Sequence, residues 1–235
     1  MKQFAVIGLS KFALCMIDEL SDIDCEILVI DKDRSVIEKV KDQVTTAYIA
    51  DVIDEETIRK LVPEEIDAGI VDLGDRLEVS ILVTNYLKKM KVKHIVAKAE
   101  TTEHGEILKI IGADMVIFPN SEAARRVTPI LASDLLFNFL SIGSGFVIAE
   151  VKVPKELAGK SLIEAGLRSK FGLNVVAVRK YEDASYKFPA PDHTLSVEEL
   201  MLVAGSENDV TGFSGEDKKG DSHVIGDIIR KLFRR

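Results

Sequence analysis

Short apolar runs rich in Val and Ile recur along the first half of the chain, at 4–8, 26–31, 45–50, 68–72, 94–97 and 115–118. Most are followed by charged segments with apolar positions at helical spacing, such as Met16/Ile17/Leu20, Val36/Ile37/Val40 and Ile107/Leu108/Ile111. Strands alternating with helices predict βαβ units and a parallel sheet. Strands that are apolar at nearly every position fit a sheet covered on both faces. Six of them in this order predict a doubly wound, Rossmann-type α/β domain.

After Phe118 the pattern changes. Asn120 or Ser121 is positioned to cap a long helix reaching about Leu140, kinked or split at Thr128-Pro129. Gly143-Ser144-Gly145 reads as a linker. Beyond it, strands are expected at 146–153, 174–179 and 200–205. Helices are expected at 161–170, stopped by Gly172, and at 207–213. The expected organisation is therefore a Rossmann domain with a crossover helix over 1–142, a small α+β domain over 146–213, and a linker with a tail over 214–235.

Composition narrows the function classes. The chain has 235 residues and a net charge of −8, which argues against a nucleic-acid-binding surface. Cys15 and Cys25 make neither a disulfide framework nor a zinc site, and no metal ligand set is expected. The apolar start is short and Lys11 soon follows, so a secretory leader is not expected. The longest uncharged stretch, 135–149, is too short to span a bilayer. A soluble, cytoplasmic protein is expected.

The first turn carries the candidate chemistry. Gly8-Leu9-Ser10-Lys11-Phe12-Ala13 follows a predicted strand and opens a predicted helix, the context of a dinucleotide fingerprint. Gly8 allows the tight turn, Ser10 stands where the second glycine is usual, and Ala13 fills the third position. The N–H groups of the helix start would hold phosphates, with Lys11 beside them. Asp31 ends the second strand, where a carboxylate accepts ribose hydroxyls and repels a 2′-phosphate. An ordinary βα turn with a strand-ending acid is the alternative. His94, His104, His193 and His223 are scattered, and no nucleophile–base arrangement stands out. Nucleotide binding without visible chemistry points to sensing.

At these residues the sequence resembles the RCK (regulator of potassium conductance) proteins of the TrkA/KtrA type. In the first half the resemblance is carried by Phe4 to Leu9 with Lys11-Phe12, Val29-Ile30-Asp31, Ala50-Asp51, Lys98-Ala99, and Ile110 to Asp114 leading to Pro119. In the second half it is carried by Gly159 to Leu162, Leu167-Arg168, Phe171 to Val175 and Pro189-Ala190-Pro191. The resemblance implies a homodimer-based ring, an octamer, on the inner face of a Trk/Ktr-type potassium-translocating membrane subunit. ATP, ADP or NAD(H) would bind the first domain and gate the pore. By position, Gly8, Ser10, Lys11 and Phe12 surround the phosphates with Lys98 near them, Asp31 and Lys32 face the ribose, and Asp51 and Val52 face the adenine. An NAD-dependent oxidoreductase is the alternative function.

The sequence departs from the family at Ser10 (usually Gly), Lys11 (commonly Arg) and Asn120 (often Glu near a divalent cation). Asp72 and Asp75 stand where uncharged residues are frequent, either compensating, or repelling a third phosphate, or serving as solvated loop acids. In the second domain the resemblance implies cyclic di-AMP at a dimer interface. Arg168 would meet a phosphate, Asn174 a base, and Val175 and Pro189 would wall the pocket. A dimer interface without ligand is the alternative. Past the resemblance, Ile225, Ile228, Ile229, Leu232 and Phe233 follow one helix face, and Arg230, Lys231, Arg234 and Arg235 crowd the end. This tail would rest on anionic lipid, on the membrane subunit, or on a neighbouring protomer.

Overall fold

The computed structural model describes residues 1–215. The chain divides into two compact units between Asn120 and Ser121. The tail helix expected over 224–233 lies outside the described residues.

The first unit alternates β1 (Lys2–Ile7), α1 (Lys11–Ser21), β2 (Cys25–Asp31), α2 (Arg34–Val40), β3 (Thr46–Ile49) and α3 (Glu55–Leu61). It continues with β4 (Ala68–Val71), α4 (Leu77–Lys89), β5 (His94–Lys98), α5 (Thr102–Ile111) and β6 (Met115–Ile117). The strands form one sheet in the order β3-β2-β1-β4-β5-β6, every pair parallel. The chain builds outward from β1 to β3, returns, and builds outward again from β4. That is the Rossmann order, with its switch point between β1 and β4.

β1 explains the continuous apolar runs. Ala5 and Ile7 join one buried cluster with Ile30, Val71, Leu87 and Ile95. Val6, between them, joins the other with Ile17, Val29 and Ile70. Successive strand side chains point to opposite faces, so both must be apolar where helices cover both. Burying a side chain such as Ile7 or Ile30, each fully enclosed, contributes on the order of 1.5–3 kcal/mol. Helix starts are set by side-chain caps. Ser10, Asp33, Asp54 and Thr101 each accept a backbone N–H two or three residues on.

α6 (Pro119–Ala132) leads into the second unit. There β7 (Leu136–Gly143), β8 (Phe146–Lys152), β9 (Asn174–Lys180) and β10 (Glu199–Ser206) form an antiparallel sheet ordered β7-β8-β10-β9. α7 (Leu162–Ala165), α8 (Leu167–Phe171) and α9 (Glu207–Gly215) complete it. Val147, Val151, Met201, Leu167 and Phe213 share its core. Among the described residues no helix is long and apolar enough to cross a membrane.

Three expectations are corrected here. The helix expected to reach Leu140 ends at Ala132, as one unsplit helix containing Pro129, and 136–143 is strand β7. Leu136 and Phe139 are both buried in the sheet's core, and the β7–β8 register shifts between Leu136 and Asn138. The bulge absorbs a residue, so two inward positions fall three apart and mimic a helical spacing. The expected linker is a two-residue hairpin turn. Ser144 and Gly145 have φ of 52° and 73°, the paired positive values of a type I′ turn. The helix expected over 161–170 is two helices, broken at Gly166 in the left-handed region (φ 60°).

Candidate functional site

The ends of β1, β2 and β4 meet at the switch point. Gly8 has φ +86° and donates its N–H to the Ile30 carbonyl at 2.8 Å. A Cβ at Gly8 would overlap the Asp72 carbonyl oxygen. Only glycine allows this conformation and this approach together. The turn it makes aims the start of α1 across the end of β4.

At that start Ser10 is the N-cap, its Oγ accepting from Phe12 N at 3.3 Å. The first turn of α1 contains no acidic residue. Its acid comes from just past β4. Asp72, only 1% exposed, accepts the Ser10 hydroxyl proton and the Ala13 N–H at 3.0 Å, both on Oδ2. Lys98, at the end of β5, places Nζ 3.4 Å from Asp72 Oδ1, 3.4 Å from Ser10 Oγ and 2.8 Å from Glu100. Burial works against the Lys98 charge. The Glu100 hydrogen bond and the Asp72 charge outweigh it and hold the ammonium above the ordinary lysine value. Asp72 is therefore not a solvated loop acid, whereas Asp75 is exposed.

Asp31 stands on the other side of the turn. Its carboxylate accepts Leu9 N at 2.7 Å and Asp33 N at 2.9 Å. It ties the β1–α1 turn to the start of α2 and keeps lone pairs for a ligand hydroxyl. Lys32 is exposed beside it. Ile49 pairs with Asp31 across β2–β3, which brings the β3 end alongside. Asp51 follows, exposed, its carboxylate accepting Ile53 N at 3.3 Å. Val52 is buried in the core, so its side chain faces inward rather than toward a ligand. Lys11 is exposed at the first position of α1, Phe12 is half-buried, and Asn120 is exposed. The structure thus joins Gly8, Ser10 and Lys98 around one acid, and Asp31 to the same turn. Asp51 stands apart on the β3 side. Glu100 was missed from the sequence, because only the β5 end brings it to Lys98.

The second unit has a groove of about 680 Å³ lined by Leu162, Ile163, Leu167, Arg168, Asn174 and Val175, among others. Left-handed glycines at 166 and 172 fold α8 back so that Arg168 and Asn174 border one space. An apolar floor with a few polar groups, at this size, suits a small ligand. Pro189 is not among the lining residues.

Residues 4–119 match the model of the TrkA-N domain and 146–214 that of the TrkA-C domain. Ktr system potassium uptake protein C of Bacillus subtilis (strain 168) is 29% identical over 212 residues, covering 90% of this chain and 96% of that protein. Ktr system potassium uptake protein A of Vibrio alginolyticus is 30% identical over 207 residues, covering 88% and 94%. Among solved structures, the GsuK channel bound to NAD superimposes with a TM-score of 0.62 at 20% identity, over 88% of this chain. This chain spans 38% of that channel's length, and the likeness is one of fold.

Proposed function

Because the chain belongs to the TrkA-N/TrkA-C family of RCK regulators that includes the Ktr potassium uptake proteins, we propose that it is the nucleotide-sensing regulatory subunit of a potassium uptake system. The observation that carries this reading is Asp31, 2.7 Å from Leu9 N on the turn that Gly8 makes possible. A ribose acceptor and the amide-rich start of a helix lie together at the switch point. In this reading Gly8, Ser10, Lys11 and Phe12 surround the phosphates with Lys98 beside them. Asp31 and Lys32 face the ribose, and Asp51 with the backbone of Val52 faces the adenine. The ligand is ATP, ADP or NAD(H), and its exchange gates a Trk/Ktr-type membrane subunit. The chain acts as a homodimer-based ring, an octamer, at the inner face of the cell membrane, with a nucleotide-binding domain over 1–142 and a TrkA-C domain over 146–213. Residues 222–235 rest on anionic lipid, on the membrane subunit or on a neighbouring protomer.

Titration calorimetry with ATP, ADP, NADH and NADPH tests the site. The first three are expected to bind and NADPH to bind weakly. Asp31→Ala is expected to lose roughly 1.5–3 kcal/mol of affinity, the worth of a charged hydrogen bond. Unchanged affinity in that variant removes the assignment. Hydride transfer from NADH to a small substrate would favour an oxidoreductase instead.

The groove of the second unit supports a second ligand, cyclic di-AMP. Arg168 meets a phosphate, Asn174 a base edge, and Val175 the apolar wall, with Pro189 joining in the assembled dimer. Titrating the messenger into the full chain and into Arg168→Ala tests this. Equal binding by both would remove Arg168 from the site.

A further inference from the structure

We infer that Asp72 selects among nucleotides at the β1–α1 site, favouring dinucleotide pyrophosphates over triphosphates, because it already holds the anion-binding end of α1. The inference rests on the nucleotide reading above. α1 has 11 residues, and the positive dipole end at its start favours an anion. That anion is present within the chain. Asp72 Oδ2 takes the Ser10 hydroxyl and the Ala13 N–H, the donors a phosphate oxygen would use. The group is 1% exposed, so water screens its charge little. Its Oδ1 is buried and, among the described residues, makes no hydrogen bond. It faces Lys98 Nζ at 3.4 Å.

The local charge count decides the consequence. Lys98 lies between two carboxylates, 3.4 Å from Asp72 and 2.8 Å from Glu100. Among Asp72, Lys98 and Glu100, one ammonium against two carboxylates leaves an excess negative charge where phosphates would approach, which Lys11, exposed at the first position of α1, offsets only in part. Lys98 is engaged, not free to grip a phosphate. Each further phosphate charge near this end of α1 therefore meets repulsion that low-dielectric surroundings strengthen. A pyrophosphate diester carries fewer charges than the triphosphate of ATP, and its ribose can still reach Asp31. The acid thus ranks ligands by phosphate charge, while the ribose contacts rank them hardly at all.

The test is calorimetric titration of the full chain with ATP, ADP and NAD at fixed ionic strength, in wild type, Asp72→Asn and Glu100→Gln. Asparagine keeps an oxygen for Ala13 N–H and Ser10 Oγ and removes the charge. Asp72→Asn is expected to tighten ATP on the order of tenfold or more and NAD far less. Glu100→Gln, at a side chain 31% exposed against the buried Asp72, is expected to shift the ratio the same way by less. Thermal melts check that each variant folds, and if Asp72→Asn does not, Glu100→Gln decides. An ATP-to-NAD ratio unchanged in the folded variants overturns this inference alone, as does weaker ATP binding in Asp72→Asn. No binding of any nucleotide to any of the proteins overturns the nucleotide reading and this inference with it.

Discussion

His104 Nε2 lies 2.7 Å from Ser80 Oγ, joining α5 to α4 inside the first unit. Ser80 Oγ donates its own proton to the Leu77 carbonyl at 2.7 Å, so the imidazole is the donor in this pair. Its Nδ1 accepts Glu100 N–H at 3.4 Å. Both ring nitrogens are used, and only the neutral ring satisfies both partners.

A pH dependence of stability follows. Burial lowers the His104 pKa below its ordinary value of 6.5, with Glu100 opposing weakly. The unfolded chain therefore binds the proton more readily than the folded one. Stability from this group is intact above about pH 6.5 and is lost as pH falls through that value toward the lower folded pKa. Urea unfolding at pH 7.5 and 5.5 should show the loss, and His104→Asn should reduce the difference. His104→Ala should cost about 1–3 kcal/mol at pH 7.5, since the Ser80 and Glu100 groups lose a partner, and less at pH 5.5, where the wild type has already lost part of that stability.

Gly8→Ala should be strongly destabilising. It places a side chain at φ +86° and against the Asp72 carbonyl. Left-handed strain and overpacking together amount to about 2–4 kcal/mol. Chemical denaturation measures it, and a loss under 1 kcal/mol would contradict the close approach of β1 and β4.

The hairpin at Ser144-Gly145 separates a turn from a linker. Gly145→Ala forces φ 73° on alanine with nothing else nearby to clash, so the cost is backbone strain of about 1 kcal/mol. Ser144→Asn supplies the residue that type I′ turns favour and should stabilise by a few tenths of a kcal/mol. Were the segment a linker, thermal melts of both variants would match the wild type.

Glu150 and Arg179 make an ion pair in the second unit, the carboxylate buried and the guanidinium partly so. Glu150 is 5% exposed and also accepts the Tyr186 hydroxyl at 2.7 Å. Arg179→Ala strands that carboxylate and should cost about 3–5 kcal/mol. The double variant Arg179→Met/Glu150→Gln should recover most of it, because no charge is left unpaired. Equal losses in the single and double variants would show that the charge is not what matters.

The order of the βα units was legible in the sequence, because a strand covered on both faces needs both parities apolar, as Ala5, Val6 and Ile7 illustrate. The spacing from Gly8 to Asp31 was legible too, since a tight turn and a strand-ending acid are local requirements. The helix mistaken over 133–140 shows where local reading stops. Leu136 and Phe139 fall three apart, and only pairing with β8 through a bulge turns that spacing into a strand. Arg168 and Asn174 could be named from resemblance, but the left-handed breaks at Gly166 and Gly172 are what bring them to one groove. Asp72, Ser10, Lys98 and Glu100 belong to three strand ends far apart in sequence. The residue types determined that each could carry or pair a charge. Which charges meet, and that Asp72 meets the start of α1 before any phosphate does, was decided by the β1–β4–β5 order of the sheet, because Coulomb interactions depend on distance in space and not along the chain.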